Sequence, residues 1–427
     1  MPGGPTRRGV LALGAACLAT GAGAVGLPAL PLHRCDDFLH SVGVNTHFGH
    51  VGTPYETRFE RCAAALDELG IRHLREDVNF TQPEPPPQFA RIARLAREGY
   101  RFSLIFYDGL GVAPVTPPRR LADIAAWSAG GIEIAEGSNE PDIAGRASAV
   151  STSADHQRAL YRAARAGGGT VRVAGPSYIF GSVAAAEDLS GAVDFANIHC
   201  YPGMEHPETT GAGELRKFMA AARPVFGSAP ILATENGYHT ALPTKSSHLP
   251  VSEAIRARYM PRLLMWSFLQ GVRRTYIYEL ICALDGGEAD PDSHFGLLRH
   301  DGTATPAFGA VRALMQLFRA AGPGTAEPFE AAVEGAPDLH ACRFSRGDGA
   351  TLVPLWLGVP GWDPGRRRAL ADRPERPVAV ALSRVPASVR LHRFGDDGSV
   401  ATTALAPAGR IVVGATDRLT VLELRSA

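Results

Sequence analysis

The sequence lacks the motifs that usually hold a metal ion or a phosphate group. No HExxH sequence and no cluster of Cys and His residues supports the HxxH spacing of His47 and His50. No Gly-rich loop follows any predicted strand, and the acidic residues between 285 and 292 lack the spacing of a calcium loop. We therefore expect no metal ion and no cofactor.

An excess of charge of either sign is also missing. Lys plus Arg and Asp plus Glu both number 43, so the formal net charge is zero. This balance disfavours nucleic acid and anionic membrane surfaces as the main partner and fits a neutral substrate better. It indicates no particular oligomeric state.

Cysteine is scarce, with six residues in 427. If Cys17 is removed with a signal segment, five widely spaced residues remain, an odd number that does not make a disulfide framework. We expect these thiols to be buried and unreactive. They are Cys35, Cys62, Cys200, Cys282 and Cys342.

Residues 1–32 have the pattern of an export signal. Arg7 and Arg8 precede an apolar run rich in Ala and Gly, and no acidic residue occurs before Asp36. Paired arginines ahead of such a run resemble a prokaryotic twin-arginine signal, with a small-residue cleavage site at 22–24. We expect a secreted or extracytoplasmic protein without a stable membrane partner. The alternative is that residues 1–32 remain uncleaved and act as a membrane anchor. No later run in the sequence is long enough to span a bilayer.

Eight short segments rich in β-branched residues recur along the next part of the chain. Their starts are 22 to 44 residues apart, which leaves room for a helix after each one. They are 41–48, 71–77, 102–108, 132–141, 171–177, 193–201, 230–237 and 274–283.

Amphipathic segments lie between these predicted strands. In 55–70, apolar residues recur at spacings of three and four before Gly70, which predicts a helix that ends there. Comparable segments are 89–99, 119–131, 155–169, 213–223, 253–271 and 306–322. Eightfold strand–helix alternation predicts an α/β protein with a (β/α)8 TIM barrel over residues 33–324. A doubly wound open sheet is the alternative, which the missing phosphate loop disfavours.

The pattern changes after residue 324. Short alternating segments with turn residues between them predict a smaller all-β sandwich domain over residues 325–427. The polar stretch 362–377 between two of these segments is predicted to be a solvated loop.

Two glutamates follow predicted strands at the barrel end where active sites lie. Glu140 follows the fourth strand in the sequence Ser-Asn-Glu-Pro, and Glu235 follows the seventh in Thr-Glu-Asn-Gly. Cleavage of a glycosidic bond needs two carboxyl groups, one to protonate the leaving oxygen and one to attack or to activate water. Glu140 and Glu235 are therefore the candidate catalytic residues.

The chain resembles the glycoside hydrolases of clan A, the 4/7 superfamily that includes cellulases, β-xylosidases and arabinofuranosidases. The resemblance covers residues 36–322 and the trailing sandwich. It rests on Asn139-Glu140 after strand four, Glu235 after strand seven, and His199-Cys200-Tyr201 in strand six. Arg75 late in strand two is also typical of these enzymes. The resemblance implies that Glu140 is the acid/base and Glu235 the nucleophile of a retaining mechanism.

Roles for the surrounding residues follow from this resemblance. Arg75 and the Tyr201 hydroxyl are expected to stabilise an ionised Glu235, and Asn139 to donate to a sugar hydroxyl. The negative charge of Glu235 is expected to raise the pKa of Glu140 so that it keeps a proton near neutral pH.

Further residues at strand ends are candidates for substrate binding. His199 shares a strand face with Tyr201, while Asn45 and His47 end strand one. Many clan members carry a tryptophan at the end of strand eight, where this chain has Tyr278-Glu279. The sugar platform is therefore expected to be a tyrosine or to come from a loop.

We therefore expect a retaining hydrolase of O-glycosidic bonds in an oligosaccharide, polysaccharide or glycoside. A carbohydrate-binding barrel that has lost catalysis is one alternative, which the presence of both glutamates disfavours. An unrelated barrel enzyme such as a metal hydrolase is a further alternative, which the missing ligand clusters disfavour.

Overall fold

The computed structural model describes residues 28–80, 84–109, 115–143, 147–179 and 186–426. Most of the predicted export signal, residues 1–27, lies outside this described part. No helix among the described residues combines the length and the apolarity that crossing a bilayer requires.

Eight parallel strands form the central sheet. They coincide with the eight segments predicted from the sequence and are β2 (Val42–Thr46), β3 (His73–Asp77), β4 (Arg101–Ile105), β5 (Ile132–Glu136), β6 (Arg172–Ala174), β7 (Ala196–His199), β8 (Ile231–Asn236) and β9 (Arg274–Ile277). Their order is β6-β5-β4-β3-β2-β9-β8-β7. Parallel bridges Ala174–Phe195 and Tyr178–Ile198 join β6 to β7 and close the barrel. The predicted TIM barrel is confirmed, and the doubly wound alternative is wrong because an open sheet would leave β6 and β7 as free edges.

Helices cover the outside of the barrel. The α-helices of the described residues are α1 (Cys35–His40), α2 (Pro54–Thr57), α3 (Phe59–Leu69), α4 (Gln88–Arg97), α5 (Leu121–Trp127), α6 (Ala147–Ala166), α7 (Leu215–Phe226), α8 (Glu253–Leu269) and α9 (Pro306–Phe318). Short 3-10 helices are Pro118–Arg120, Ser190–Ala192 and Pro291–Ser293. Helix α3 ends as predicted, because Gly70 adopts a φ of 68° and its N–H bonds to the Leu66 carbonyl at 2.9 Å. Helix α1 was not predicted, since six residues are too few to show a helical period. Helix α2 overlaps the start of the segment 55–70, which was predicted as one helix and is divided at Arg58 in the structure.

The remaining strands form the sandwich. They are β1 (Leu32–Arg34), β10 (Ala331–Glu334), β11 (Leu339–Ala341), β12 (Arg343–Ser345), β13 (Thr351–Leu357), β14 (Trp362–Asp363), β15 (Arg368–Ala369), β16 (Arg376–Leu382), β17 (Ser388–Phe394), β18 (Val400–Leu405), β19 (Arg410–Ala415) and β20 (Thr420–Arg425). One sheet has the order β1-β12-β13-β20-β17-β18 with β11 also paired to β13, and the other is β10-β16-β19. Valine, leucine and isoleucine side chains from both sheets form the core between them. Strands β14 and β15 form a small hairpin in the stretch predicted as a loop.

The beginning of the described chain belongs to the sandwich. Strand β1 pairs in parallel with β12, and the Leu30 N–H donates to the Ala331 carbonyl at 2.7 Å. The predicted division at residue 32, with residues 33–324 assigned to the barrel, therefore differs from the structure at this point. A three-residue strand that pairs with a segment about 310 residues away leaves no periodic signal in the local sequence.

The sandwich packs directly against the barrel through buried ion pairs as well as apolar contacts. Arg262 of α8 is fully buried and forms an ion pair with Glu208, which also accepts a hydrogen bond from the Trp356 indole of β13 at 2.5 Å. Arg258, one turn earlier, bonds to Asp417 at 2.9 Å. Helix α8 therefore carries two buried cations into the contact between the two domains.

The five cysteines in the described part are buried and unpaired, as expected from their number and spacing. Burial raises the pKa of the Cys62 and Cys200 thiols to about 12, which makes both poor nucleophiles.

Candidate active site

Glu140 lies in the turn that follows β5. Its N–H donates to the Ser177 carbonyl at 2.8 Å, which ties this turn to the segment after β6. Its φ of 42° lies in the left-handed region that non-glycine residues rarely adopt. Such a conformation persists only where the surrounding structure imposes it, and it is concentrated at functional sites. The fold therefore fixes the direction of the Glu140 side chain at some conformational cost.

Glu235 lies near the end of β8 with its carboxylate held by two donors. Arg75 Nη1 donates to Oε1 at 2.6 Å, and the Tyr201 hydroxyl donates to Oε2 at 2.6 Å. Burial, together with the charge of Glu235, raises the pKa of Tyr201 well above its usual value, so the phenol keeps its proton and remains a donor. Both predicted partners of Glu235 therefore contact its carboxylate and fix its orientation.

Arg75 is a buried cation that connects the acidic groups at this end of the barrel. Its Nε and Nη2 donate to Glu136 at 3.0 and 2.7 Å, and Nη2 also donates to Asn139 Oδ1 at 2.6 Å. Burial lowers the pKa of Arg75, but the charges of Glu136 and Glu235 outweigh that effect and raise it well above its usual value. Arg75 therefore stays charged and fixes the position of Glu235 from the interior of the barrel.

Sequence analysis missed Glu136, the last residue of β5. Its carboxylate is inaccessible to solvent and also accepts hydrogen bonds from Ser103, Asn197 and Thr234 at 3.1 to 3.2 Å. An acidic residue at the end of a barrel strand was the available signal. Glu136 supplies the countercharge that allows Arg75 to be buried.

Glu140 is hydrogen bonded to His199, which strand alternation had placed on the same face as Tyr201. The distance from His199 Nδ1 to Glu140 Oε1 is 2.7 Å, and His199 Nε2 lies 3.1 Å from the Thr234 hydroxyl. Burial raises the pKa of Glu140, but the hydrogen bond and charge of His199 outweigh burial and lower it. Burial lowers the pKa of His199, and the charges of Glu235 and Glu140 reverse this and raise it.

This pair corrects the expectation that Glu140 alone keeps a proton because Glu235 is negative. His199 lies between the two glutamates, with Nδ1 2.7 Å from Glu140 and 3.5 Å from Glu235. The lowered pKa of Glu140 and the raised pKa of His199 both favour a hydrogen-bonded pair of carboxylate and imidazolium.

The two glutamates converge although 95 residues separate them in the chain. One oxygen of Glu140, one oxygen of Glu235 and one His199 nitrogen all lie within 4.8 Å of one another. Strands four and seven of the barrel thus bring the two predicted carboxyl groups to one point.

Asn139 and Asn45 both accept a hydrogen bond from Arg75, at 2.6 and 3.0 Å. Asn45 is buried, and its amide nitrogen donates to the Thr234 carbonyl at 3.0 Å. The oxygen and the nitrogen of the Asn45 amide both have hydrogen-bond partners within the protein. Asn45 therefore supports Arg75 and does not face the cavity as a sugar-binding residue. Asn139 is half-buried and lines a cavity beside Glu235.

The cavity has a volume of about 400 Å³, enough for a sugar ring with its hydroxyl groups. Polar and aromatic side chains from the ends of several barrel strands form its wall. The lining residues are His47, His50, Arg75, Asp77, Val78, Asn79, Ile105, Tyr107, Asn139, Glu235 and Tyr278.

His47 lies on the wall of this cavity, as predicted, and is bonded to a residue that sequence analysis did not select. His47 Nδ1 lies 2.8 Å from Asp77 Oδ2, and the Tyr107 hydroxyl donates to Asp77 Oδ1 at 2.7 Å. Burial lowers the pKa of His47, but the Asp77 carboxylate outweighs it and raises the pKa to about 9. Asp77 ends β3 two residues after Arg75, so strand alternation was the signal that could have found it.

Tyr278 and Glu279 follow β9 and point to different places. Tyr278 lines the cavity, as expected of a sugar platform. Glu279 is buried, and its carboxylate accepts from the Tyr55 hydroxyl at 3.0 Å and the Ala283 N–H at 3.3 Å. Glu279 therefore lies behind the cavity wall, because consecutive residues of an extended segment face opposite sides.

The Glu140–His199 pair leads to a prediction about pH dependence. We expect kcat/KM to fall at high pH as the shared proton leaves, with a pKa above the ordinary 6.5 of histidine because His199 is raised. In His199→Gln the proton must reside on Glu140 itself, so the alkaline limb should move to lower pH. Initial rates across the pH range for both proteins measure this shift. An alkaline limb unchanged in His199→Gln would contradict the shared proton.

No protein-family model matches the sequence, and no curated protein matches it either. Solved structures do match. A family 39 glycoside hydrolase from the gut symbiont Bacteroides cellulosilyticus WH2 is 14% identical with a TM-score of 0.62, over 91% of this chain and 82% of that one. A glucosidase from Croceicoccus marinus is 12% identical with a TM-score of 0.60, over 85% and 91%.

A family 39 β-xylosidase from Caulobacter crescentus is 15% identical with a TM-score of 0.55 and spans 94% of this chain and 98% of its own length. These matches cover the barrel and the sandwich together. The chain therefore has the two-domain fold of these glycoside hydrolases, a TIM barrel with a trailing β-sandwich, as its resemblance to clan A predicted.

Proposed function

We propose that the protein is a retaining glycoside hydrolase in which Glu235 is the nucleophile and Glu140 is the acid/base. The observation that carries this proposal is the approach of one oxygen from each carboxylate to within 4.8 Å. Retaining enzymes place the two carboxyl groups about 5–5.5 Å apart, whereas inverting enzymes need about 6.5–9.5 Å to admit a water molecule. An approach this close between two oxygens fits the retaining range better than the inverting one and supports direct attack by Glu235 on the sugar.

In the first step, a Glu235 oxygen forms a bond to the anomeric carbon while the bond from that carbon to the leaving oxygen breaks. The leaving oxygen takes a proton from Glu140, which has first received that proton from the His199 imidazolium across their 2.7 Å hydrogen bond. Glu140 is then ionised and His199 is neutral. Arg75 and Tyr201 hold the attacking carboxylate in place from two sides. The product of this step is a glycosyl ester on Glu235.

In the second step, water attacks the anomeric carbon of this ester and Glu235 leaves as a carboxylate. The ionised Glu140 takes the proton of that water, so the same side chain acts as acid and then as base. The partner His199 allows both roles, because it can hold the proton whenever Glu140 does not.

The cavity beside Glu235 is proposed to bind the sugar that is transferred. Arg75 occupies the Asn139 oxygen, which leaves the amide N–H groups of Asn139 as donors for a sugar hydroxyl. The Tyr278 ring provides an aromatic surface on which a sugar can lie. The substrate class is an O-glycoside, oligosaccharide or polysaccharide.

Proton NMR of the first-formed sugar tests this proposal. A set of aryl glycosides is screened for hydrolysis, and the anomeric configuration of the product is recorded before mutarotation. We expect net retention, since two displacements at one carbon restore the configuration. Net inversion would contradict the nucleophile assignment, and binding of the sugars without turnover would favour a carbohydrate-binding barrel.

We also propose that the protein is exported in a folded state, as Arg7 and Arg8 ahead of the Ala- and Gly-rich run indicate. The double change Arg7→Lys with Arg8→Lys keeps both charges but removes the arginine pair. In a prokaryotic host we expect precursor to accumulate in the cytoplasm, measured by fractionation and immunoblotting. Normal export of the double variant would contradict a twin-arginine signal.

A further inference from the structure

Two histidines in the cavity wall point to the same carboxylate oxygen. His47 Nδ1 lies 2.8 Å from Asp77 Oδ2, and His50 Nε2 lies 2.9 Å from that same atom. The three ligand atoms lie within 4.8 Å of one another. His47 and Asp77 are buried, whereas the His50 side chain is 43% exposed and the cluster opens into the cavity.

The separation of the two imidazoles fits ligation of one ion. With a zinc–nitrogen distance of about 2.0–2.1 Å, the centre of a ligating imidazole lies roughly 3.2 Å from the ion. Two such rings have centres roughly 4.5 Å apart at a right angle between ligands and roughly 5.2 Å apart at the tetrahedral angle. The observed separation of the His47 and His50 ring centres is 4.7 Å. The two rings are nearly parallel, with an angle of 18° between their planes, so one ring must rotate before both nitrogens direct a lone pair at one ion. The exposed His50 side chain is the one with room to rotate.

The groups behind these ligands also fit a metal site. A ligating histidine usually directs its other nitrogen at a carboxylate, and His47 Nε2 lies 3.5 Å from Glu279 Oε2. That nitrogen is buried and has no hydrogen bond among the described residues. The Tyr107 hydroxyl donates to the second oxygen of Asp77 at 2.7 Å, which orients the carboxylate.

We propose that His47, His50 and Asp77 bind one divalent transition-metal ion of the zinc class in the wall of the cavity. Two imidazoles and one carboxylate are a donor set that this class of ion prefers, and three protein ligands leave coordination positions open toward the cavity. Sequence analysis predicted no metal because the HxxH pair had no third ligand beside it. Asp77 supplies that ligand from the adjacent barrel strand.

If the proposed function is correct, the open positions face the bound sugar. Two neighbouring hydroxyl groups of the sugar could then coordinate the ion, so the metal would contribute to binding rather than to the chemical step. This part rests on the proposed function, whereas binding of the ion does not.

Titration of the tag-free, EDTA-treated full chain with Zn²⁺ alone tests the site. We expect one equivalent to bind in isothermal calorimetry, because the two imidazoles and one carboxylate form a single site. Co²⁺ in place of Zn²⁺ should give visible absorption bands of nitrogen ligation. His50→Ala should lower the Zn²⁺ affinity by more than about 100-fold, since it removes a direct ligand. His50 is partly exposed, so this variant is expected to fold, which its circular dichroism confirms.

Glu140→Gln is the matched control, because Glu140, His199 and Glu235 are the other group in the described part with metal-ligand spacing. We expect its Zn²⁺ affinity to equal that of the wild type. Asp77→Asn provides a second loss-of-site variant. Failure of the wild type to bind Zn²⁺ at millimolar concentration, or unchanged binding in His50→Ala and Asp77→Asn, overturns the site. A loss confined to Glu140→Gln also overturns it, because the ion would then lie between the glutamates. None of these readouts depends on hydrolysis.

Discussion

Hydrolysis of every substrate that the protein cleaves is expected to fall by at least about 10⁴-fold in Glu235→Gln. The amide has the shape of the carboxylate but cannot form the glycosyl ester. It can still accept from Arg75 or from Tyr201, so the fold and the cavity should persist, as thermal melting and circular dichroism would show. A loss of activity with an unchanged melting temperature therefore separates a chemical role from a structural one.

Glu288→Gln is the control for this experiment. Glu288 is an exposed carboxylate in the loop after β9, at the same end of the barrel. We expect full activity, because this carboxylate is solvated and its removal leaves the Arg75 network unchanged. Undiminished activity in Glu235→Gln would eliminate Glu235 as the nucleophile.

Glu140→Ala should behave differently from Glu235→Gln. An aryl glycoside with a good leaving group needs little protonation, so its transfer to Glu235 survives while hydrolysis of the ester becomes slow. Azide needs no general base and should restore turnover with formation of a glycosyl azide of retained configuration. The same azide should leave Glu235→Gln inactive. Rescue of Glu235→Gln rather than Glu140→Ala would reverse the two assignments.

The strand ends of the barrel could be predicted because the signal is local. Each strand is a short apolar run, and a parallel barrel places the ends of all eight strands at one rim. That rule alone brings Glu140 and Glu235 together across 95 residues. Very short strands such as β1 could not be predicted, because they show no alternation of apolar and polar residues. The strand with which β1 pairs lies near the other end of the chain.

The hydrogen-bond partners of the strand-end side chains were harder to predict than the positions of those residues at the end of the barrel. Asn45 and Glu279 end strands like the other candidates, yet one supports Arg75 and the other bonds to Tyr55 behind the wall. Whether a strand-end side chain faces a ligand depends on the angle at which the strand leaves the barrel, which the sequence does not encode locally. The pKa of Glu140 was mispredicted for a related reason. Its hydrogen bond to His199 crosses between strands four and six, and its strength depends on a 2.7 Å distance.

Arg262→Met is expected to lower the free energy of unfolding by about 3–5 kcal/mol, because it leaves the Glu208 carboxylate buried without its cation. In the wild-type protein, burial raises the pKa of Glu208, but the charge and hydrogen bonds of Arg262 outweigh burial and keep this pKa below its usual value. Arg262 Nη1 also donates to the Asp417 carbonyl at 2.8 Å, so the change weakens the contact between barrel and sandwich. Denaturant unfolding, followed separately by signals of the barrel and of the sandwich, measures the loss.

A second substitution distinguishes a buried charge from a simple loss of packing. Adding Glu208→Gln to Arg262→Met removes the unpaired charge and still leaves an amide oxygen for the Trp356 indole, which now donates to Glu208. The double variant should therefore be more stable than Arg262→Met alone, although both remove the same ion pair. Arg94→Met, which breaks a solvent-exposed pair with Glu60, should unfold close to the wild type. A double variant less stable than Arg262→Met would show that packing of the guanidinium, rather than its charge, holds the sandwich on the barrel.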